Sequence, residues 1–327
     1  MSVEIKTATL EPVRNTFTPI AKRFGDKPAS RYQEASYDIQ GVTNFHYKPA
    51  WNEEFEINDA RRTAIQMEDW YSLKDPRQFY YGTYVGSRGK MQENAENNYS
   101  FFEKRHFAAR LPDVVKEKLI RLVVPLRHVE QAANLNNMYG VSVGYGTTIT
   151  QALVYEGMDR LGIAQYLSRI GLILDGNTGT ALEQAKQFWM NDGCWQGVRA
   201  LCEETLVQQD WFELVIAQNL IIDTLIGDLY YRQLDQWLAD QDVPDVSMLL
   251  EFMQEWQKDR NRWLDSILKL AAAESDSNRA QLLTWADKWS AKASVALTPV
   301  ALELLGEDAL SQAQDVLATR LNKLGIK

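Results

Sequence analysis

The sequence predicts an all-α chain, a helical bundle carrying an extended, non-helical N-terminal arm. Three observations lead there. Apolar residues recur at helical spacing through most of the chain beyond residue 58. No run alternates with the period of two that a half-buried strand needs. Prolines cluster at the start, at Pro12, Pro19, Pro28 and Pro49, where each removes an amide donor and opposes helix continuation.

The arm takes residues 1–58 and the helical domain 59–327. The arm holds Phe17, Phe24, Tyr32, Tyr37, Phe45, Tyr47, Trp51 and Phe55, whereas disordered tails are poor in aromatics. An ordered arm that lays its rings on a folded surface, its own or a partner's, accounts for both features. Phe17, Tyr32, Tyr37, Phe45, Tyr47 and Trp51 are therefore candidate subunit-interface residues.

The helices follow in order. One is expected from about Asp59 to Leu73, stopping before Asp75-Pro76, and a second over much of Gln78–Leu111, ending at Pro112. From Asp113, the residues Val115, Leu119, Leu122, Leu126, Val129 and Ala133 form one apolar stripe, with Pro125 set to kink or split the helix. Gly140, Gly144 and Gly146 mark a loop, a helix follows to about Leu174, and Asp175-Gly176-Asn177 is a turn. Two or three helices fill Thr180–Ala239. Within them Trp211–Tyr231 is apolar nearly all round, the mark of a central buried helix. Amphipathic helices over Ser247–Ala273, Arg279–Leu297 and Asp308–Leu324 complete the chain.

Charge and composition narrow the function. A net charge of −9 with a pI near 5.1 speaks against nucleic acid or an anionic membrane as partner. The most apolar stretch, Trp211–Ile226, is interrupted by Glu213, Gln218, Asn219 and Asp223 and is no membrane span. Residues 1–20 lack the apolar core of a secretory signal, so the chain is expected to be cytoplasmic. Cys194 and Cys202 lie eight apart on one predicted helix, ~12 Å along its axis, beyond the ~7 Å a disulfide allows. Both are expected to be reduced core thiols.

One motif raises metal chemistry. Glu103-Lys104-Arg105-His106 puts a Glu and a His three apart, half of a ferritin-like di-iron site. Such a site takes one Glu from each of two helices and a Glu-x-x-His from each of two others. The chain has three histidines in total. Thr43 stands three residues before His46, and Pro125 three before His128, so only His106 has its Glu. Lys104 and Arg105 would also oppose a dication. A solvated helix face or a small ion-pair cluster is the better reading of Glu103 and His106, and a satisfied structural residue that of His128. Glu213 and Asp223 sit in apolar surroundings, where an unpaired carboxylate is costly. Either they form a metal or acid–base site, or an arginine such as Arg199 or Arg262 pairs with them; pairing is preferred. No Gly-rich phosphate loop, cysteine ligand cluster or Gly-x-Ser-x-Gly occurs.

A resemblance then enters. Trp195-Gln196-Gly197-Val198-Arg199, Glu203 and Glu204, Asp210-Trp211-Phe212-Glu213 with Asn219, Trp70 before Asp75-Pro76, and Asp259-Arg260-Asn261-Arg262-Trp263 together resemble a known family. It is the β subunit of the hydroxylase component of bacterial multicomponent monooxygenases, most like that of phenol hydroxylase, and the likeness covers most of the chain. The resemblance implies a ferritin-like bundle in an (αβγ)2 hydroxylase. The α subunit would carry the di-iron centre, and this chain would hold no catalytic, cofactor-binding or metal-binding residue of its own. With a reductase and a small regulatory protein, the whole enzyme would use NADH and oxygen to convert phenol to catechol. Two other readings stand against this one: an autonomous di-iron oxidase, which the histidine count opposes, and a free-standing helical interaction protein, which the aromatic arm opposes.

Overall fold

A computed structural model of the chain describes residues 18–25, 27–39 and 46–327. The regular structure of these residues is all helical, with no strand among them. The arm is not wholly extended, which corrects one expectation. It contains α1 (Thr18–Phe24) and α2 (Arg31–Ser36). Pro19 sits in the first turn of α1, where a missing amide costs nothing. Ser30 and Gln33 form a reciprocal capping box that starts α2 just after Pro28.

The helix expected over 59–73 does not form either. Only the single 3-10 turns Ala60–Arg62 and Trp70–Ser72 appear. Side chains take over the backbone groups that a helix would pair. Asp59 accepts from the Arg61 amide, Asp210 from Ala64 and Asp69 from Tyr71. Asn278 both accepts from the Gln66 amide and donates to the Gln66 carbonyl. Such bonds compete directly with helix formation.

The remaining elements keep to the predicted order. They are α3 (Tyr81–Lys104), α4 (Phe107–Arg110), α5 (Asp113–Leu122), α6 (Leu126–Val143), α7 (Thr147–Leu174), α8 (Thr180–Asn191) and α9 (Gly193–Thr205). A long central helix, α10, covers residues 211–240. The chain closes with α11 (Glu251–Glu274), α12 (Asp276–Leu305) and α13 (Ala309–Leu324). The break between α5 and α6 falls at Val123–Pro125, where the proline was expected to act. Gly140 belongs to α6, and the turn into α7 is made by residues 144–146, with Gly146 at a φ of 89° that favours glycine.

That short turn makes α6 and α7 antiparallel neighbours in close contact. A methyl at Gly140 would lie 2.9 Å from Leu153, and one at Gly157 would meet Met138. The central helix α10 is not uniform. Its segments Ile216–Ile222 and Asp228–Gln233 are π-helical and flank Asp223. Buried tryptophans from the surrounding elements (Trp195, Trp256, Trp263 and Trp289), with Trp211 at the start of α10 itself, close the core. Among the described residues no helix is long and apolar enough to cross a membrane. Cys194 and Cys202 are free and buried on α9.

Candidate functional site: the buried ion-pair core

The motif at Glu103 and His106 comes apart in the structure. Helix α3 ends at Lys104, and His106 takes a left-handed φ of 54° in the break before α4. The two side chains therefore do not share a helix face and do not pair with each other. Glu103 instead accepts from Arg169 Nη2 at 3.2 Å, and His106 is exposed. The other histidines lie elsewhere. His46 Nδ1 is 3.3 Å from Glu56. His128 stacks on Trp189 with ring centroids 5.4 Å apart, and burial pushes its pKa down to about 4.

The chemistry-bearing cluster lies deeper, where α6, α7, α10 and α11 meet. Arg160 of α7 donates from Nη1 to Glu130 of α6 at 3.0 Å, and from Nη2 to Asp223 of α10 in close contact. Arg260 of α11 reaches the same Asp223 oxygen at 3.1 Å, and Gln218 donates to the other at 2.9 Å. The Trp256 ring faces both guanidinium groups, at 4.5 Å from Arg160 and 5.2 Å from Arg260. This is the cation–π arrangement that aids a desolvated cation. A second layer adjoins the first. Asp159 accepts from Tyr84 at 2.9 Å, from Arg88 at 3.0 Å and from Trp256 Nε1 at 3.0 Å. Arg77 and Arg88 share Asp259, and Arg77 also pairs with Asp75 at 3.0 Å.

Burial sets the electrostatics. It pushes Glu130 up despite Arg160 beside it, and raises Glu156 to about 7 against the pull of Arg260 and Arg77. Burial opposes the charge on Arg160, but Asp223, Glu130 and Glu156 outweigh it and hold the guanidinium above its ordinary value. Arg260 has less support and falls to about 10, from burial and from the like charges of Arg160 and Arg320.

These residues do not fit a di-iron pair. Three facing helices supply carboxylates at Glu130, Glu156 and Asp223, but two guanidinium groups stand among them and no histidine does. Among the described residues no three His, Cys, Asp or Glu side chains converge as a metal would require.

The paired carboxylates were anticipated, but their partners were not. Glu213 accepts from Lys288 at 2.6 Å, Trp289 at 2.8 Å and Gln208 at 2.8 Å, rather than from Arg199 or Arg262. Arg199 bonds Glu203 one turn away, and Arg262 is a surface residue 4.0 Å from Asp259. Asp223 is held by Arg160 and Arg260. The helical phase could have revealed this choice: Trp256, Arg260 and Trp263 follow i, i+4, i+7, which turns Arg260 inward and Arg262 outward.

Of the six aromatic interface candidates, Phe17 and Phe45 lie outside the described residues. Tyr32 and Tyr37 are buried on this chain's own bundle. Tyr37 stacks on Tyr71 at 5.2 Å, and the Tyr32 hydroxyl accepts from the Asp75 amide at 2.8 Å. Tyr47 and Trp51 remain at the surface, 62% and 64% exposed.

Comparison with known proteins places this arrangement in context. Residues 51–275 match the family described as Methane/Phenol/Alkene Hydroxylase. The chain is 52% identical to the phenol 2-monooxygenase oxygenase component MhpL of Acinetobacter pittii, over all of this chain and 98% of that one. It is also 52% identical to the DmpL component of Pseudomonas sp. strain CF600, over 100% and 99%. The hydroxylase β subunit of the toluene-4-monooxygenase system of Ectopseudomonas mendocina is 22% identical over 69% of this chain and 70% of its own length. Among solved structures, phenol hydroxylase from Pseudomonas sp. OX1 superposes with a TM-score of 0.91 at 52% identity, covering 98% of each chain.

Proposed function

This chain belongs to the methane/phenol/alkene hydroxylase family, and from that premise we propose that it is the non-catalytic β subunit of a phenol hydroxylase. Its near relatives are oxygenase components of phenol 2-monooxygenases, so the complex it serves is a phenol monooxygenase that forms catechol with NADH and oxygen. In this reading a catalytic α subunit holds the di-iron centre. A small γ subunit completes an (αβγ)2 hydroxylase in the cytoplasm, served by a reductase and a regulatory protein.

The observation that carries the reading is the filled bundle centre. Arg160 and Arg260 place fixed positive charge among Glu130, Glu156 and Asp223, and Glu130 and Asp223 are committed to these guanidinium partners. A bundle so built serves as a rigid body for partners to pack on. Replacing both Glu103 and His106 with alanine should leave the iron content of a reconstituted hydroxylase unchanged and lower its turnover only modestly. Iron and product are measured on the rebuilt complex. Loss of half or more of the iron, with the subunits still assembled, would refute the scaffold reading.

Residues 1–58 act in this proposal as an arm with two uses. The part around α1 and α2 is tied to the chain's own surface by Tyr32, Tyr37 and the Ser36–Gln151 bond of 2.6 Å. The stretch carrying Tyr47 and Trp51 presents exposed rings to a neighbouring subunit, with Phe17 and Phe45 as further candidates. Aromatic anchors dominate interface energies. Tyr47→Ala combined with Trp51→Ala should therefore weaken assembly about tenfold or more while the chain's own melting is little changed. Titration of the variant against its partners checks this, and unaltered affinity would remove the arm from the interface.

A further inference from the structure

Close to the ion pairs sits a carboxyl group that they leave out. Glu156 of α7 is fully buried, yet among the described residues neither of its oxygens accepts a hydrogen bond. Nearby donors are idle as well: Arg160 Nε, and Arg260 Nε and Nη2, have no protein acceptor. Trp263, one turn along α11 from Arg260, has a free Nε1 too. The positive charges of both arginines act on Glu156. An acceptor and several donors thus share one neighbourhood without touching.

We infer that Glu156, Arg160 and Arg260 together form an internal water-binding site, in which ordered water accepts from the free guanidinium N–H groups and donates to the Glu156 carboxyl oxygens. Water suits this set because it both gives and accepts and is small enough for a packed interior. A buried water commonly makes about three such bonds, and a chain of this length holds on the order of a dozen. A metal ion does not suit it, since the guanidinium groups repel one; an anion is opposed by the carboxylates of Glu156, Asp159, Glu130 and Asp223. The site therefore hydrates a charge-dense joint between α7 and α11.

The site also has a pH signature. The groups acting on Glu156 are Asp159 and Arg160 on its own helix, Arg260 from α11 and Arg77 from the segment before α3. Burial outweighs the three cations and raises its pKa from the ordinary 4.5 to about 7. The folded chain therefore holds this proton more firmly than the unfolded chain does. The stabilisation it gives is complete below about 4.5 and is lost as pH rises through about 7. Glu156→Gln keeps an amide that bonds water and removes the titration.

Two measurements on the full chain test the inference. Crystals of the assembled hydroxylase, at a resolution that shows ordered solvent, should place water within ~3.2 Å of a Glu156 oxygen and of a free Arg260 or Arg160 nitrogen. A direct Glu156–arginine bond without that water, or an anomalous metal peak at this point, would overturn it. In thermal melts, Glu156→Gln should gain on the wild type steadily from pH 5.5 and level off above about 7, by on the order of a few degrees. A gain of the same size at every pH would show that Glu156 does not titrate there and would count against the site.

Discussion

Replacing Arg160 with methionine should destabilise the full chain by about 3–5 kcal/mol, the loss typical when one partner of a buried ion pair is removed. The side chain bridges Glu130 on α6 and Asp223 on α10 from its place on α7, so a single deletion removes a partner on each of two other helices. Asp223 keeps Arg260 and Gln218, but Glu130 has no other side-chain partner among those described. Adding Glu130→Leu to the variant should therefore recover part of the loss, because the stranded carboxylate is gone. Chemical denaturation measures both. A penalty below about 1 kcal/mol for Arg160→Met would mean that the network contributes little to stability.

Trp256→Ala should cost a comparable amount, about 3–5 kcal/mol by the usual scale for deleting a large buried ring. Its indole is fully buried, faces Arg160 and Arg260, and donates to Asp159 at 3.0 Å. Trp256→Phe separates these roles. It keeps an aromatic face for the guanidinium groups but removes the N–H together with part of the ring, which should cost about 1–3 kcal/mol for the acceptor left short plus a smaller cavity than the alanine leaves. Equal losses in the two variants would show that the ring's bulk and its cation contacts matter less than the single hydrogen bond.

Local signals made most of the fold legible. The stripe from Val115 to Ala133, the split at Pro125, the Gly144–Gly146 turn and the all-round apolar face of α10 each depend on residues close in sequence. The stretch from 59 to 73 could not be read that way. Its helical pattern is overruled by Asp210 and Asn278, which claim its backbone groups from far along the chain. The same limit applied to the core charges. Asp223 could be seen to need a partner, and helical phase turns Arg260 inward and Arg262 outward, but choosing Arg160 over Arg199 requires knowing which helices meet.

A partial clue was present in α7. Leu153, Glu156, Arg160, Ile163 and Leu167 share one inward face, so two charged residues interrupt an apolar stripe. Such an interruption marks a buried polar joint without saying what joins it. The separation of Glu103 from His106 was less accessible. It turns on a left-handed residue at the end of α3, and His106 carries no glycine or proline signal to announce it.

The central claim is that the guanidinium groups of Arg160 and Arg260 occupy the bundle centre and leave this subunit without a metal site of its own. Elemental analysis of the full chain, expressed without its partners and supplied with ferrous iron, tests it most directly. The account predicts iron far below one atom per chain after removal of loosely bound metal. About two atoms retained per chain, the content of a carboxylate-bridged pair, would contradict it.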